Sequence, residues 1–448
     1  MTRYTAKRIP VHRGPAVWNA LLPGQDAAIT LTGDETADVV VIGAGFAGLS
    51  AARRLTQLAP KAKVIVLEAG RIAEGATGRN AGFMIDLPHA VGSSDYTGEG
   101  NAANRKITAL NRKAIGFAKA MVDDFAIDRN YFDPAGKVNG ATTQNSDALN
   151  KSYLHHLGEM GEKGEYLDAK AMAELTGSAY YLSGVYTPGT VMIQPAGYIR
   201  GLVRGLRKDG VKICEHSPVH KFEQVSAGWL VTSGTHKVSA GKVILATNGH
   251  LESFGLAKQR LMHIFLFGSM TVDLPIEALK KLGGKPRWGV TPSDSQGTTM
   301  RRIDAALGGN RIMTRSCISF LPDMEVSEGL MKRAIGVHKK RFAARFPALK
   351  NVPMEHSWAG HLCLTRNGVA VMREVDKGLY SACVQNGLGT VRGTLTGIGA
   401  AELACGVASD ITQHFTSEAE PTKLPPRPFS TIGANVYLRW KERLAARE

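Results

Sequence analysis

The chain has 448 residues, of which 44% are hydrophobic and 21% charged, and its formal charge is +16. That composition suits a globular chain with a sizeable core and excludes a low-complexity or repeat architecture. No apolar run approaches a membrane span. The five cysteines, Cys214, Cys317, Cys363, Cys383 and Cys405, are scattered without a C-x-x-C pair, which argues against a disulfide framework or zinc site and fits a reducing cytoplasm.

Residues 1–35 read as an arm. Its first 15 positions carry Arg3, Lys7, Arg8 and Arg13 with no long apolar stretch behind them, so no secretory signal is expected there. Val39-Val-Val-Ile42 is a continuous apolar run, as in a parallel strand buried on both faces. Gly43, Gly45 and Gly48 follow at G-x-G-x-x-G spacing, with Phe46 and Ala47 between them. Gly43 permits a tight turn, Gly45 lets a pyrophosphate approach the backbone, and Gly48 lets the next helix pack on the strand. Residues 47–55 read as that helix, whose first N–H groups attract phosphate. Val64-Ile-Val-Leu67 is a second buried strand, followed by Glu68 and Ala69. Glu68 lies 20 residues past Gly48, where a dinucleotide site needs an acceptor for ribose hydroxyls. The fingerprint alone does not distinguish FAD from NAD.

Next come Thr77, Gly78, Arg79, Asn80, Ala81, Gly82, Phe83 and Met84 in a loop opened by Gly75. It reads either as a wrap around a pyrophosphate or as a surface turn. Residues 108–127 have the periodicity of an amphipathic helix. Short strands at 218–222 and 229–234 lead to a buried strand at 242–246, which ends in Ala246, Thr247 and Asn248. Strands are expected at 261–267, 268–273 and 310–315, and a helix at 326–346. A strand at 378–384 runs into Gln385, Asn386, Gly387, Leu388, Gly389 and Thr390, then a helix at 391–405. That helix start offers N–H groups and a positive dipole end, suited to an anionic reduced flavin. A proline-rich linker at 421–428 precedes a last helix near 435–447.

Positive charge is densest at 332–345 and 439–447, both read as helices with a solvated basic face. Such a surface suits nucleic acid, an anionic membrane or an acidic substrate. There is no basic stripe interleaved with aromatics, so nucleic acid is the least favoured partner. The 13 histidines bring no metal-ligand spacing.

Residues 39–48, 75–83, 243–249, Trp358-Ala-Gly360 and 386–390 resemble the D-amino-acid oxidase and glycine oxidase family, and within it the gamma-glutamylputrescine oxidase branch. The resemblance covers about residues 36–415. It implies an α/β fold: a Rossmann-like, glutathione-reductase-like FAD domain with an interleaved antiparallel-sheet substrate domain. The FAD domain would comprise 36–110, 190–258 and 355–415. The substrate domain would comprise 111–189 and 259–354, with 416–448 as linker and terminal helix. Non-covalent FAD would be held by the Gly43–Gly48 turn, Glu68, Ala69, the 77–84 loop, the Val219 backbone, Ala246–Asn248 and residues 387–390.

The implied reaction is oxidation of a C–N bond of an amine or amino-acid-like substrate, by hydride transfer to flavin N5. O2 would be the acceptor, and the imine would hydrolyse to a carbonyl and an amine. No nucleophile or general base is assigned. The resemblance places Arg315 on a substrate carboxylate and Gln385 and Asn386 near the flavin face, while His263 and Phe265 alternate on one strand face that looks either toward the flavin or into the core. Trp358 reads as core packing. Two alternatives stay open: a dehydrogenase of the same fold feeding a quinone or carrier protein, with peripheral membrane association, and a flavoprotein that modifies tRNA.

Overall fold

The computed structural model describes residues 2–88 and 100–448. Among them lie two large sheets and a small one. The parallel centre of the first, 9-stranded sheet runs Leu379–Cys383, His236–Leu245, Glu35–Ile42, Val64–Leu67, Lys212–Cys214. The strand His236–Leu245 changes neighbours midway. Its first half pairs antiparallel with Gly228–Ser233, and its second half pairs parallel with Leu379–Cys383.

Alternation along these strands separates two cores. Val39, Val41, Val64 and Val66 share one with the helices Phe46–Leu58 and Val391–Ala404. Val40, Ile42, Ile65 and Leu67 share the other with Phe222, Trp229 and Val231 of the antiparallel hairpin. Because both faces are covered, the strands read as unbroken apolar runs. Two glycines let the helical layer approach. A Cβ on Gly48 would lie 1.8 Å from the Gly43 carbonyl oxygen, and one on Gly397 would lie 2.1 Å from that of Ala47.

The second sheet has 8 strands, in the order Met354–Leu364, Met262–Thr271, Arg311–Phe320, Thr299–Ile303, Trp288–Pro292, Lys137–Ala141, Ser183–Thr187, Glu165–Asp168. It is antiparallel except where Trp288–Pro292 runs parallel to Lys137–Ala141. Phe83–Met84, Val191–Ile193 and Phe132–Asp133 make the small sheet.

The expected α/β fold class with its second, substrate-type sheet is therefore present. Several expected boundaries move. Residues 355–364 belong to the second sheet, because Met354–Leu364 pairs along its whole length with Met262–Thr271. That pairing also joins the two strands expected at 261–267 and 268–273 into one. The boundary at 110 falls inside the continuous helix Gly100–Asp124. Its Leu110, Ala114, Ala118 and Met121 share the core of the first sheet's helices, which pulls the helix away from the substrate unit. The strand expected at 310–315 continues as Arg311–Phe320, and the last helix is Phe429–Leu444. The arm is not loose. Arg3–Thr5 extends the hairpin edge against Val219–Val225, and a short helix, Val17–Ala20, buries Trp18.

Candidate active site

A cavity of about 370 Å³ opens at the carboxyl ends of the parallel strands, where Ile42, Leu67 and Ala246 meet Phe265, Thr299 and Arg315 of the second sheet. Open α/β sheets bind ligands at this end. Gly43 has φ +105°, and a Cβ there would lie 2.6 Å from the Ala246 carbonyl oxygen, so only glycine fits the turn. The helix Phe46–Leu58 starts from Gly45 with no side-chain cap, leaving its first N–H groups for an anion. Glu68 accepts from Ala44 N at 2.8 Å and Gly70 N at 3.2 Å. Burial raises its carboxyl, and hydrogen bonds from the Ala44, Gly70 and Ala69 backbone oppose the rise. Asn248, at φ +48°, keeps a buried Oδ1 with no partner.

The loop from Gly75 to Met84 is held by its carbonyl groups. Trp358 Nε1 donates to Arg79 O at 2.9 Å, and Trp18 Nε1 donates to Asn80 O at 2.7 Å. Arg301 NH1 donates to Ala81 O at 3.1 Å and Gly82 O at 2.9 Å, while Thr390 Oγ1 donates to Phe83 O at 2.7 Å. Five successive carbonyls are thus fixed by side chains of four distant segments. Arg301 is buried between the Trp18 and Phe83 rings, and burial pulls its pKa down to about 9, against a smaller opposing effect of Asp133. Arg79, turned onto the carbonyls of Glu74, Arg13 and Ala359, is lowered by burial to about 10.

At the far side, the helix Val391–Ala404 begins at Thr390 without a side-chain cap, because that hydroxyl serves Phe83. Gly387, Leu388, Gly389 and Thr390 line the cavity there. Two uncapped helix starts, an unpartnered buried amide oxygen and a loop with its carbonyls taken up fit the polarity of a flavin dinucleotide.

Most of the expected site residues line this one cavity, Ala69, Val219 and Thr247 included. Five do not, for identifiable reasons. Gly48 and Gly78 are packing glycines; a Cβ on Gly78 would lie 1.8 Å from Ala73 O. Met84 is buried in the core beside its small-sheet strand. Asn386 turns away, since its Oδ1 accepts from Thr365 N at 2.8 Å and its Nδ2 donates to the Gly368 and Val369 carbonyls. His263 is fully buried behind the wall. Gln385 does reach the cavity, with its amide donating to Ala382 O and Thr396 Oγ1.

Phe265 and Arg315 face the cavity as expected. Arg315 keeps partial exposure and donates through Nε and NH2 to Thr299 Oγ1 at 3.3 and 3.0 Å. Among the described residues no carboxylate pairs with it, and burial lowers it to about 10.

Further contributors carried no local sequence signal. Arm residues Arg8, Pro10 and His12 line the cavity, as do His250 and His361. His361 stacks on Phe265, with ring centroids 5.0 Å apart, and its Nε2 lies 3.2 Å from His263 Nδ1. His263 Nε2 in turn lies 2.6 Å from Glu252 Oε2. The result is a carboxylate–imidazole–imidazole chain ending at the cavity. Burial holds His361 well below the usual histidine range, helped by His263, His250 and His12. Burial alone would raise Glu252; the hydrogen bonds from His263 and Gln259 N, with the charges of His263 and Arg427, outweigh it and lower the carboxyl.

Among the described residues no group of three His, Cys, Asp or Glu could hold a metal ion, and no helix is long and apolar enough to cross a membrane.

A family model described as FAD dependent oxidoreductase matches residues 38–403. A probable oxidoreductase, OrdL, of Haemophilus influenzae is 26% identical over 387 residues, 84% of each chain. The gamma-glutamylputrescine oxidoreductase of Escherichia coli is 24% identical over 437 residues, covering 91% of this chain and 93% of that one. The crystal structure of glycine oxidase from Geobacillus kaustophilus superposes with a TM-score of 0.68 at 18% identity, over 89% of this chain and 98% of that one, a likeness of fold.

Proposed function

This chain belongs to the FAD-dependent oxidoreductase family, and on that premise we propose that it oxidises the C–N bond of a small amine that also carries a carboxylate. The observation that carries the reading is Arg315, a cavity-facing guanidinium without a carboxylate of its own. Its fork suits a bidentate grip on a substrate carboxylate. Two relatives are named for gamma-glutamylputrescine and for glycine, both amines that carry a carboxylate.

Bound FAD supplies the two-electron acceptor. The chain supplies position and proton handling. The turn at Gly43–Gly48, Glu68 and the 75–84 loop hold the dinucleotide; Arg315 orients the substrate, and Phe265 on the same cavity wall helps exclude water. Amine oxidation needs the free base, so the ammonium proton must leave first. His361 accepts it at Nδ1. Its Nε2 proton then moves to His263 Nδ1, and the charge rests on His263 against Glu252. No electrons move in this step, and His361 itself ends neutral, in keeping with its buried position. The resulting imine hydrolyses to a carbonyl and an amine, and O2 takes the electrons to give hydrogen peroxide.

The test is anaerobic addition of gamma-glutamyl amides, D- and L-amino acids, glycine, sarcosine and polyamines to the yellow protein. The visible flavin band should bleach with a carboxylate-bearing amine and return in air with peroxide released. No bleaching by any of them would refute amine oxidation. Bleaching that air reverses only slowly would replace O2 with another acceptor.

A further inference from the structure

The terminal helix Phe429–Leu444 is tied down by one face only. Asn435 exchanges hydrogen bonds with the Phe320 backbone at 3.1 and 2.9 Å. Buried Glu442 receives Arg333 at 2.5 Å and Arg439 at 2.9 Å. These contacts seat the helix on the strand Arg311–Phe320 and the helix Glu328–Arg345.

Its outer face is apolar. Phe429, Ile432, Val436, Tyr437, Trp440 and Leu444 recur at helical spacing and are 52% to 74% exposed. They are half of the 12 large hydrophobics exposed among the described residues, gathered on one helix. A chain with that much apolar surface on one face has something to cover it.

Charge selects the partner. Lys441 Nζ lies over the Tyr437 and Trp440 rings, 5.9 and 5.6 Å from their centroids. Arg443 and Arg447 stand exposed beside the face, and no carboxylate pairs with Lys441, Arg443 or Arg447 among the described residues. The one acidic residue of the helix, Glu442, is turned inward. Two copies meeting face to face would crowd these cations, on chains that each carry +16. An anionic bilayer neutralises them. Aromatic rings at the boundary and basic side chains reaching past them match a helix lying in the plane of a lipid interface.

We propose that the helix Phe429–Leu444 binds the surface of an anionic phospholipid membrane, with its apolar face in the headgroup boundary and Lys441, Arg443 and Arg447 on the lipid phosphates. The binding is reversible and peripheral, and this helix does not line the cavity.

The test is flotation of the full-length FAD-loaded protein with phosphatidylcholine vesicles, with and without phosphatidylserine. The protein should float with the anionic vesicles, and high salt should release it. Val436→Glu with Trp440→Glu should reduce the bound fraction at least tenfold. Lys441→Glu with Arg443→Glu should reduce it by roughly fivefold per charge or more. All four positions are on the exposed side, so melting temperature and flavin content should stay at wild-type values. Failure to float with anionic vesicles overturns the proposal, as does flotation that the apolar double variant leaves unchanged. A dimer in gel filtration that the apolar variant splits would give the face to a second copy and would equally overturn it.

Discussion

Replacing Arg301 with methionine tests whether the 75–84 loop is held in place by the capture of its carbonyls. The substitution keeps an unbranched apolar stem but shortens it and removes the donor that serves Ala81 O, Gly82 O and Ile193 O. Gly82 O keeps the Ile193 N–H at 2.9 Å; Ala81 O loses the partner described for it. An orphaned buried carbonyl costs about 1–3 kcal/mol, and bonds from a charged donor contribute about 1.5–3 kcal/mol. Part of that loss is offset, because the variant no longer buries a guanidinium whose pKa is already pulled to about 9. A net loss of about 2–3 kcal/mol in loop order would raise the FAD dissociation constant roughly 30- to 150-fold. The assay is removal of FAD, then titration back while following quenching of flavin fluorescence, with circular dichroism as the check on folding. Trp18→Phe, which removes only the donor to Asn80 O, should weaken FAD in the same direction by about tenfold. If both folded variants bind FAD within threefold of wild type, the loop is held by something else.

Three further outcomes follow from the site and its scaffold. Arg315→Met should raise the KM of a carboxylate-bearing amine by about a hundredfold while leaving a carboxylate-free amine unchanged; equal effects on both would remove Arg315 from substrate binding. His361→Gln should slow anaerobic flavin bleaching by about a hundredfold near neutral pH, with the rate recovering as pH rises and more of the substrate is already the free amine. A variant with the wild-type rate and pH profile would deny His361 its role. Glu35 is held at about 2 by hydrogen bonds from Lys212 and Lys63. Its folded value is depressed, so its stabilisation is complete above the ordinary carboxylate range and is lost as pH falls toward 2. Glu35→Gln should flatten acid unfolding in that window by less than about 1 kcal/mol, and an unchanged acid melt would place the acid sensitivity elsewhere.

The parts of the fold legible in the sequence are those whose cause is local. The apolar run 39–42, the glycine turn and the small residues of the 387–390 segment each announce a backbone shape within a few residues, and Ile42, Gly43, Gly45 and residues 387–390 line the cavity. Asn386 was misplaced because its orientation is decided by Thr365, Gly368 and Val369, twenty positions upstream and invisible to spacing. His263 looks like a cavity residue on an alternating strand until Glu252 and His361 are seen on either side of it. Arg301 gives no signal at all: an arginine within a short strand reads as a surface residue, and only the folded chain shows three carbonyls converging on it. The resemblance places residues 355–364 in the FAD domain, whereas pairing of Met354–Leu364 with Met262–Thr271 decides its sheet.

The order of strands in the first sheet also bears on biosynthesis. The glycine turn is complete by residue 48 of 448, but the strand Leu379–Cys383 and the helix Val391–Ala404 that complete the pocket come near the end. A nascent chain stopped before residue 379 would have a nucleotide turn with its far wall missing, and Thr390 would not yet be there to take Phe83 O. Retention of the cofactor therefore reports whether the last quarter of the polypeptide has closed onto the first. Truncated or misassembled copies should be colourless, which makes flavin content a direct readout of completed folding in the cell.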